Sequence, residues 1–151
     1  MALPGARSVI WLAIAVHAGA FAQVPVKPGK WELTSTFRGL PFGDSAKPAR
    51  TACISAAELG SIPEKALMSA APAPADDGSR APPKCAYSNI RREGAQSSWA
   101  LACEGPTMSG SGNATVMPEA ADLSETFKLE TPFGSHSIQH IVLARRQGDC
   151  L

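Results

Sequence analysis

The chain has few of the residues that announce an activity. Its 151 residues include four cysteines and three histidines, and no catalytic or cofactor motif accompanies them. The closest two cysteines, Cys85 and Cys103, have 17 residues between them, so the close pairing that a zinc site needs is missing. C-x-x-C is absent too, which removes the usual signature of a thiol redox role. No G-x-S-x-G and no glycine-rich run ending in Lys-Ser or Lys-Thr occurs, so neither a nucleophile elbow nor a phosphate loop is present, and no cofactor is expected. Charge of one sign is also lacking. Fourteen Lys and Arg face thirteen Asp and Glu, and Arg91-Arg92 and Arg145-Arg146 are pairs rather than patches. Adjacent strand residues point to opposite faces, so each pair is expected to contribute one solvated charge to each side or to a rim rather than a binding stripe. A balanced chain has no net field to draw a polyanion, and nucleic acid is not an expected partner.

Long apolar runs are missing as well. The longest, Val9 to Val16, has eight residues, against the roughly 20 that cross a bilayer as a helix. With Arg7 before it and Ala20 and Ala22 flanking Phe21 after it, this run has the three parts of a secretory signal, with cleavage expected after Ala22. The organisation expected is a signal peptide at 1–22 and one domain at 23–151, with no membrane span after cleavage. Pro25 and Pro28 keep the new terminus extended. An exported chain meets an oxidising compartment, the periplasm in this reading, where four cysteines are expected to form disulfides.

The mature domain reads as strands. Lys30 to Phe37 alternates, with Trp31, Leu33 and Phe37 on one face and Glu32, Thr34 and Thr36 on the other. A Gly/Pro loop, Gly39 to Pro48, follows, and then a short extended piece from Arg50 to Ile54. Ser55-Ala56-Ala57-Glu58 fits a capping box, and Gly60 stops that helix within about two turns. Pro63 opens a second short helix through Met68. Residues 70–83 carry little to bury and read as a flexible surface loop. Strands are expected at Lys84 to Arg92, Ser97 to Glu104, Ser109 to Val116, Asp122 to Glu130 and Ser135 to Arg146, joined as antiparallel hairpins. Trp31, Phe37, Trp99 and Phe127 fall on core faces, and Gly110 and Gly112 are expected to form a bulge or to let Trp99 and Leu101 pack across their strand. The fold class expected is all-β: one antiparallel curved sheet, a sandwich or partly closed barrel of about six strands, with one or two short helical turns after the first cysteine.

Two hairpin registers carry the site expectations. Turning the first hairpin at Gly94 sets Cys85 opposite Cys103, Tyr87 opposite Leu101 and Asn89 opposite Trp99. Directly opposed strand residues can have Cα atoms about 4.5 Å apart, within disulfide reach. Four cysteines allow three connectivities. This register selects Cys85 with Cys103, leaving Cys53 with Cys150, and a Cys53 to Cys85 bridge would contradict it. Turning the last hairpin at Pro132-Phe133 pairs Phe127 with Ile138, Glu125 with His140 and Leu123 with Val142. A carboxylate beside an imidazole among apolar neighbours can orient it for proton transfer or hold a polar ligand group. The competing reading is a cross-strand ion pair at the sheet rim, or a register one residue out. His136 and His140 would ligate one metal only on a helix; on a strand they are about 13 Å apart.

Pro28-Gly29-Lys30-Trp31-Glu32, Cys53-Ile54-Ser55, Trp99 four residues before Cys103, Gly110-Ser111-Gly112 and the terminal Arg145-Arg146-Gln147-Gly148-Asp149-Cys150 occur in this order. In these residues the chain resembles a family of small exported proteobacterial proteins known as domain of unknown function 3617. Members often carry Met-rich stretches after the first strand, where this chain has Gly39-Leu40-Pro41-Phe42-Gly43. The resemblance implies a periplasmic location and four structural cysteines, and it brings no activity with it. Function is therefore expected from fold class: a non-enzymatic module binding a small apolar or amphipathic ligand or an envelope partner. The alternatives are an interaction protein that accepts a strand at an exposed edge, for which Lys30 to Phe37 is the candidate, or a small hydrolase built on Glu125 and His140.

Overall fold

The computed structural model describes residues 25–41, 43–73, 84–104, 108–132 and 134–151; the expected leader at 1–22 and most of the 70–83 loop lie outside them. Among the described residues the elements run β1 (Gly29–Arg38), β2 (Ser45–Ile54), α1 (Ala56–Leu59), α2 (Pro63–Ala70), β3 (Cys85–Glu93), β4 (Gln96–Cys103), β5 (Met108–Met117), β6 (Ala120–Thr131) and β7 (Gly134–Gly148). The strands form one antiparallel sheet in the order β2-β1-β7-β6-β5-β4-β3. This is the all-β sheet expected, with seven strands rather than about six, and it does not close, because β2 and β3 are edges.

Short connections explain the run from β3 to β7, which is a meander of successive hairpins. At Glu93↔Gln96 the chain reverses through Gly94, whose φ of 61° suits a residue without a side chain. β1 then lies against β7, with Leu33 opposite Ala144 and Phe37 opposite His140, so the start and end of the domain meet inside the sheet. Alternation does the rest. In β1, Trp31, Leu33, Ser35 and Phe37 are buried while Lys30 and Glu32 are exposed.

The segment read as a loop up to Pro48 is strand from Ser45 onward. Pro48 has no amide proton to give a ladder, but β2 is an edge strand, and a register shift between Leu33↔Arg50 and Ser35↔Lys47 leaves Pro48 and Ala49 outside the pairing. Because β2 is a full strand, Lys30 to Phe37 is not an edge: β1 has β2 on one side and β7 on the other.

The helices cover one face of the sheet. Ser55 caps α1, accepting from the Glu58 amide, while the Glu58 carboxylate accepts from the Ser55 amide, so the expected capping box is formed. Gly60 ends α1, and Pro63 stands in the first turn of α2. Leu59, Leu67, Met68 and Ala71 join Trp31, Leu33, Trp99, Leu101, Leu123 and Val142 in one core. Leu67 is fully buried, and truncating such a side chain to alanine costs about 2–5 kcal/mol. Arg92 clamps α2 to β3: its Nε and Nη2 donate to the two carboxylate oxygens of Glu64 at 3.1 and 2.9 Å. Burial is the largest single influence on the Glu64 carboxyl and pushes it up, but the Arg92 hydrogen bond and charge, together with further hydrogen-bond donors, hold it below its ordinary value. Arg92 is thus an anchor, not the solvated charge expected of the Arg91-Arg92 pair.

Both disulfides are as expected. Cys85 and Cys103 are bonded across the β3–β4 hairpin, and Cys53 is bonded to Cys150. The hairpin register holds from Cys85↔Cys103 to Ser88↔Ala100 and then shifts by one, so that Arg91 rather than Ile90 faces Ser98. The shift is a bulge at Asn89 and Ile90, with Asn89 at φ 51°, a conformation that asparagine tolerates better than most residues. Asn89 and Ile90 thus share the position opposite Trp99, in place of the one-to-one pairing of Asn89 with Trp99.

Candidate functional site

The β6–β7 register places Glu125 directly opposite His140, with Phe127 opposite Ile138 and Leu123 opposite Val142, as read from the turn. The same row continues in both directions: Glu125 faces Gly112, Gly112 faces Trp99, and His140 faces Phe37. One line of side chains therefore crosses five strands on the buried face.

Gly112 is the residue that lets the row form. A Cβ at 112 would fall inside the Trp99 indole, so only glycine allows that ring to lie across β5 and reach β6. There Trp99 Nε1 donates to Glu125 Oε1 at 3.0 Å, and the Tyr87 hydroxyl donates to the same oxygen at 2.7 Å. Burial pushes the Glu125 carboxyl up, while these two donors pull against it. Tyr87 is raised too, first by burial and then by the Glu125 charge, so it stays protonated as a donor.

His140 is held differently. Its Nε2 lies 3.1 Å from Ser35 Oγ, and its ring stacks on Phe37 with centroids 4.2 Å apart. Burial alone lowers its pKa to about 4, so the imidazole is neutral near neutral pH. Glu125 and His140 are adjacent yet make no ion pair with each other, because each is turned to a separate partner and burial disfavours both charges. The rim ion pair considered from sequence is not what forms: the two residues are 4% and 9% exposed.

The Ser35 and His140 contact has the nucleophile-to-base form, but the third element of such a site is a group that orients the base. Glu125 spends its hydrogen bonds on Tyr87 and Trp99, and Ser35 is 1% exposed. The arrangement is suited to bracing a sheet from within. Sequence reasoning brought Glu125 and His140 together and missed Ser35, Tyr87 and Trp99 as their partners. Ser35 shares a face with Leu33 and Phe37 by alternation, which was the available signal. Among the described residues no three His, Cys, Asp or Glu side chains converge as metal ligands.

The open feature lies elsewhere. Between β2 and the helices runs a groove of about 570 Å³, with Ala52 and Ile54 from the strand and Leu59, Ile62, Ala66 and Ala70 from the helical side among its lining residues. It exists because the sheet ends at β2 and because three of those side chains are alanines. Arg50 and Lys65 also line it and are exposed. Among the described residues neither is in an ion pair. The Lys65 ammonium lies 5.9 Å from the Tyr87 ring centre. The lining acid, Glu58, is turned back onto its own helix cap, where the Ser55 amide and then the Ser55 hydroxyl hold its carboxyl below the ordinary value.

These features define a class: a disulfide-bonded antiparallel β protein with one open sheet, a helical cover on one face and a groove at the edge. The chain belongs to the family described as protein of unknown function (DUF3617), whose model matches residues 26–150. None of the curated proteins and none of the solved structures matches it.

Proposed function

We propose that this protein is a non-enzymatic binding module of the periplasm that takes one small amphipathic ligand in the groove between β2 and α1–α2. The groove itself carries the reading: at about 570 Å³ it falls in the range of small-molecule sites, and apolar side chains line it beside exposed cations. The location rests on the leader-like first 22 residues and on two disulfides, which persist in oxidising compartments. No helix among the described residues is long and apolar enough to cross a membrane.

The test is native mass spectrometry of protein recovered from the periplasm of its own cells. The expected result is a bound small molecule that leaves on unfolding; protein that carries none, under conditions that preserve folding, contradicts the reading. A co-purifying protein would instead favour strand addition. That second reading draws support from β2, which among the described residues pairs only with β1 and so presents a backbone edge beside the groove. Lys47, Pro48 and Arg50 guard part of that edge, as charges and proline commonly do. Glu125 and His140 in this account set the sheet behind the ligand. Direct contact with the ligand is the competing role, and His140→Ala separates the two: lost ligand with unchanged stability would show contact.

A further inference from the structure

Resting on that groove reading, we propose that the ligand is a single-chain amphiphile with an anionic head, a carboxylate or a phosphate monoester on one linear acyl or alkyl chain. The lining selects for it. Ala66 and Ala70 are four residues apart and share one face of α2, while Ala52 and Ile54 share one face of β2 by alternation. Short side chains on both walls leave a slot that suits a linear chain. No aromatic side chain among the described residues lines the groove, so none of them would stack there on a nucleobase or an aryl ring.

The charge at the rim sets the head group. Arg50 stands on the strand wall and Lys65 on the helix wall, both exposed and both outside any ion pair among the described residues. Arg50 presents a planar fork of donors that fits either a carboxylate or a phosphate. Lys47 precedes it on the same strand, opposite the buried Ser35, and so points to the same side of the sheet. Among the described residues the lining holds two cations, Arg50 and Lys65, and one acid, Glu58, whose Oε2 is occupied by the Ser55 amide and hydroxyl, both at 2.7 Å. A cationic or neutral head would leave these cations without a counter-charge.

Titration calorimetry on the oxidised protein, below micellar concentrations, tests this with four probes of one chain length: dodecanoate, lauroyl lysophosphatidate, 1-dodecanol and dodecyltrimethylammonium. Either or both anions should bind one per chain, at least about tenfold more tightly than the alcohol, and the cation should bind least. Which anion binds separates free fatty acids from lysophospholipids as the source. Lengthening the chain should tighten binding by up to about fourfold per methylene. Arg50→Glu should weaken anion binding about tenfold or more, and Ala66→Phe should block all four probes. Circular dichroism checks folding; if Ala66→Phe does not fold, Arg50→Glu at its exposed position carries the test. Equal binding of the alcohol and the anions would overturn the anionic head while leaving the groove as a site. Binding of none would overturn both, and anion binding indifferent to Arg50→Glu would overturn the assignment of the head.

Discussion

Two polar regions share this sheet, and they are built in opposite ways. In the interior row, Glu125, His140, Ser35, Tyr87 and Trp99 satisfy one another, and Gly112 yields its side chain so that they can. At the β2 edge, Arg50 and Lys65 are exposed beside an apolar slot, with no ion-pair partner among the described residues; the Lys65 ammonium also leans toward the Tyr87 ring, 5.9 Å from its centre. A buried polar group left unpaired costs about 1–3 kcal/mol, so the row had to be completed from within the chain. Exposed groups carry no such penalty and remain available. Polar groups paired within the chain therefore mark the part of this molecule that holds its shape, and exposed cations without ion pairs mark the part that the proposed reading assigns to the ligand.

The largest expected effect comes from the two disulfides, one on each side of this contrast. Cys53–Cys150 spans 97 residues and Cys53 lines the groove, whereas Cys85–Cys103 spans 18 and ties the far edge. In the chain-entropy model, replacing the first pair by serine should cost about 5 kcal/mol and the second about 3 kcal/mol. Urea unfolding of Cys53→Ser/Cys150→Ser and Cys85→Ser/Cys103→Ser checks the order. Ligand binding should be lost only in the first, and equal loss in both would erase the distinction between the edges.

The next effect is a pH dependence led by the row. Between pH 6.5, the ordinary histidine value, and about 4, the unfolded His140 takes a proton that the buried ring refuses. The associated stability is present above pH 6.5 and is lost as pH falls toward 4, by up to about 3 kcal/mol. Glu125 works in the other direction: its folded pKa is raised, so its contribution is present below the ordinary carboxylate value and is lost as pH rises through the folded one. Denaturation of the natural protein at pH 7.5 and 4.5 should show the acid loss, and His140→Asn should flatten it. A variant as acid-sensitive as the parent would remove His140 from the row's energetics.

The smallest is Gly112→Ala. A methyl group inside the Trp99 ring must push the indole off β5, at about 1–3 kcal/mol, breaking its bond to Glu125. A fall in melting temperature with a changed tryptophan emission is expected, and an unchanged spectrum would mean that the ring never lay there.

Much of this could be read from sequence because strands alternate and hairpins count. The turn at Gly94 gave Cys85 its partner, and the turn at Pro132 and Phe133 gave Glu125 its neighbour, each from residue spacing alone. What escaped depends on pairing between distant segments. Nothing local says that β1 docks on β7, so Ser35 could not be set beside His140, 105 residues away. β2 was hidden because Pro48 argues against a strand unless the strand is known to be an edge. The β3–β4 turn falls between Glu93 and Gln96, one residue off the register expected from Gly94, and the bulge at Asn89 and Ile90 absorbs that residue, so the expected pairing holds only on the cysteine side. The groove is a gap between tertiary elements, and no run of residues spells it.

The contrast between row and groove is tested most directly by proton–nitrogen correlation spectra of the labelled protein titrated with dodecanoate and with lauroyl lysophosphatidate. Amide signals of residues 50–54, 59–62 and 65–70 should shift with at least one of them, while the Trp99 indole proton, held by Glu125, stays in place. A Trp99 indole that shifts together with His140, over still signals at β2 and α2, would contradict the account and return the binding role to the interior row.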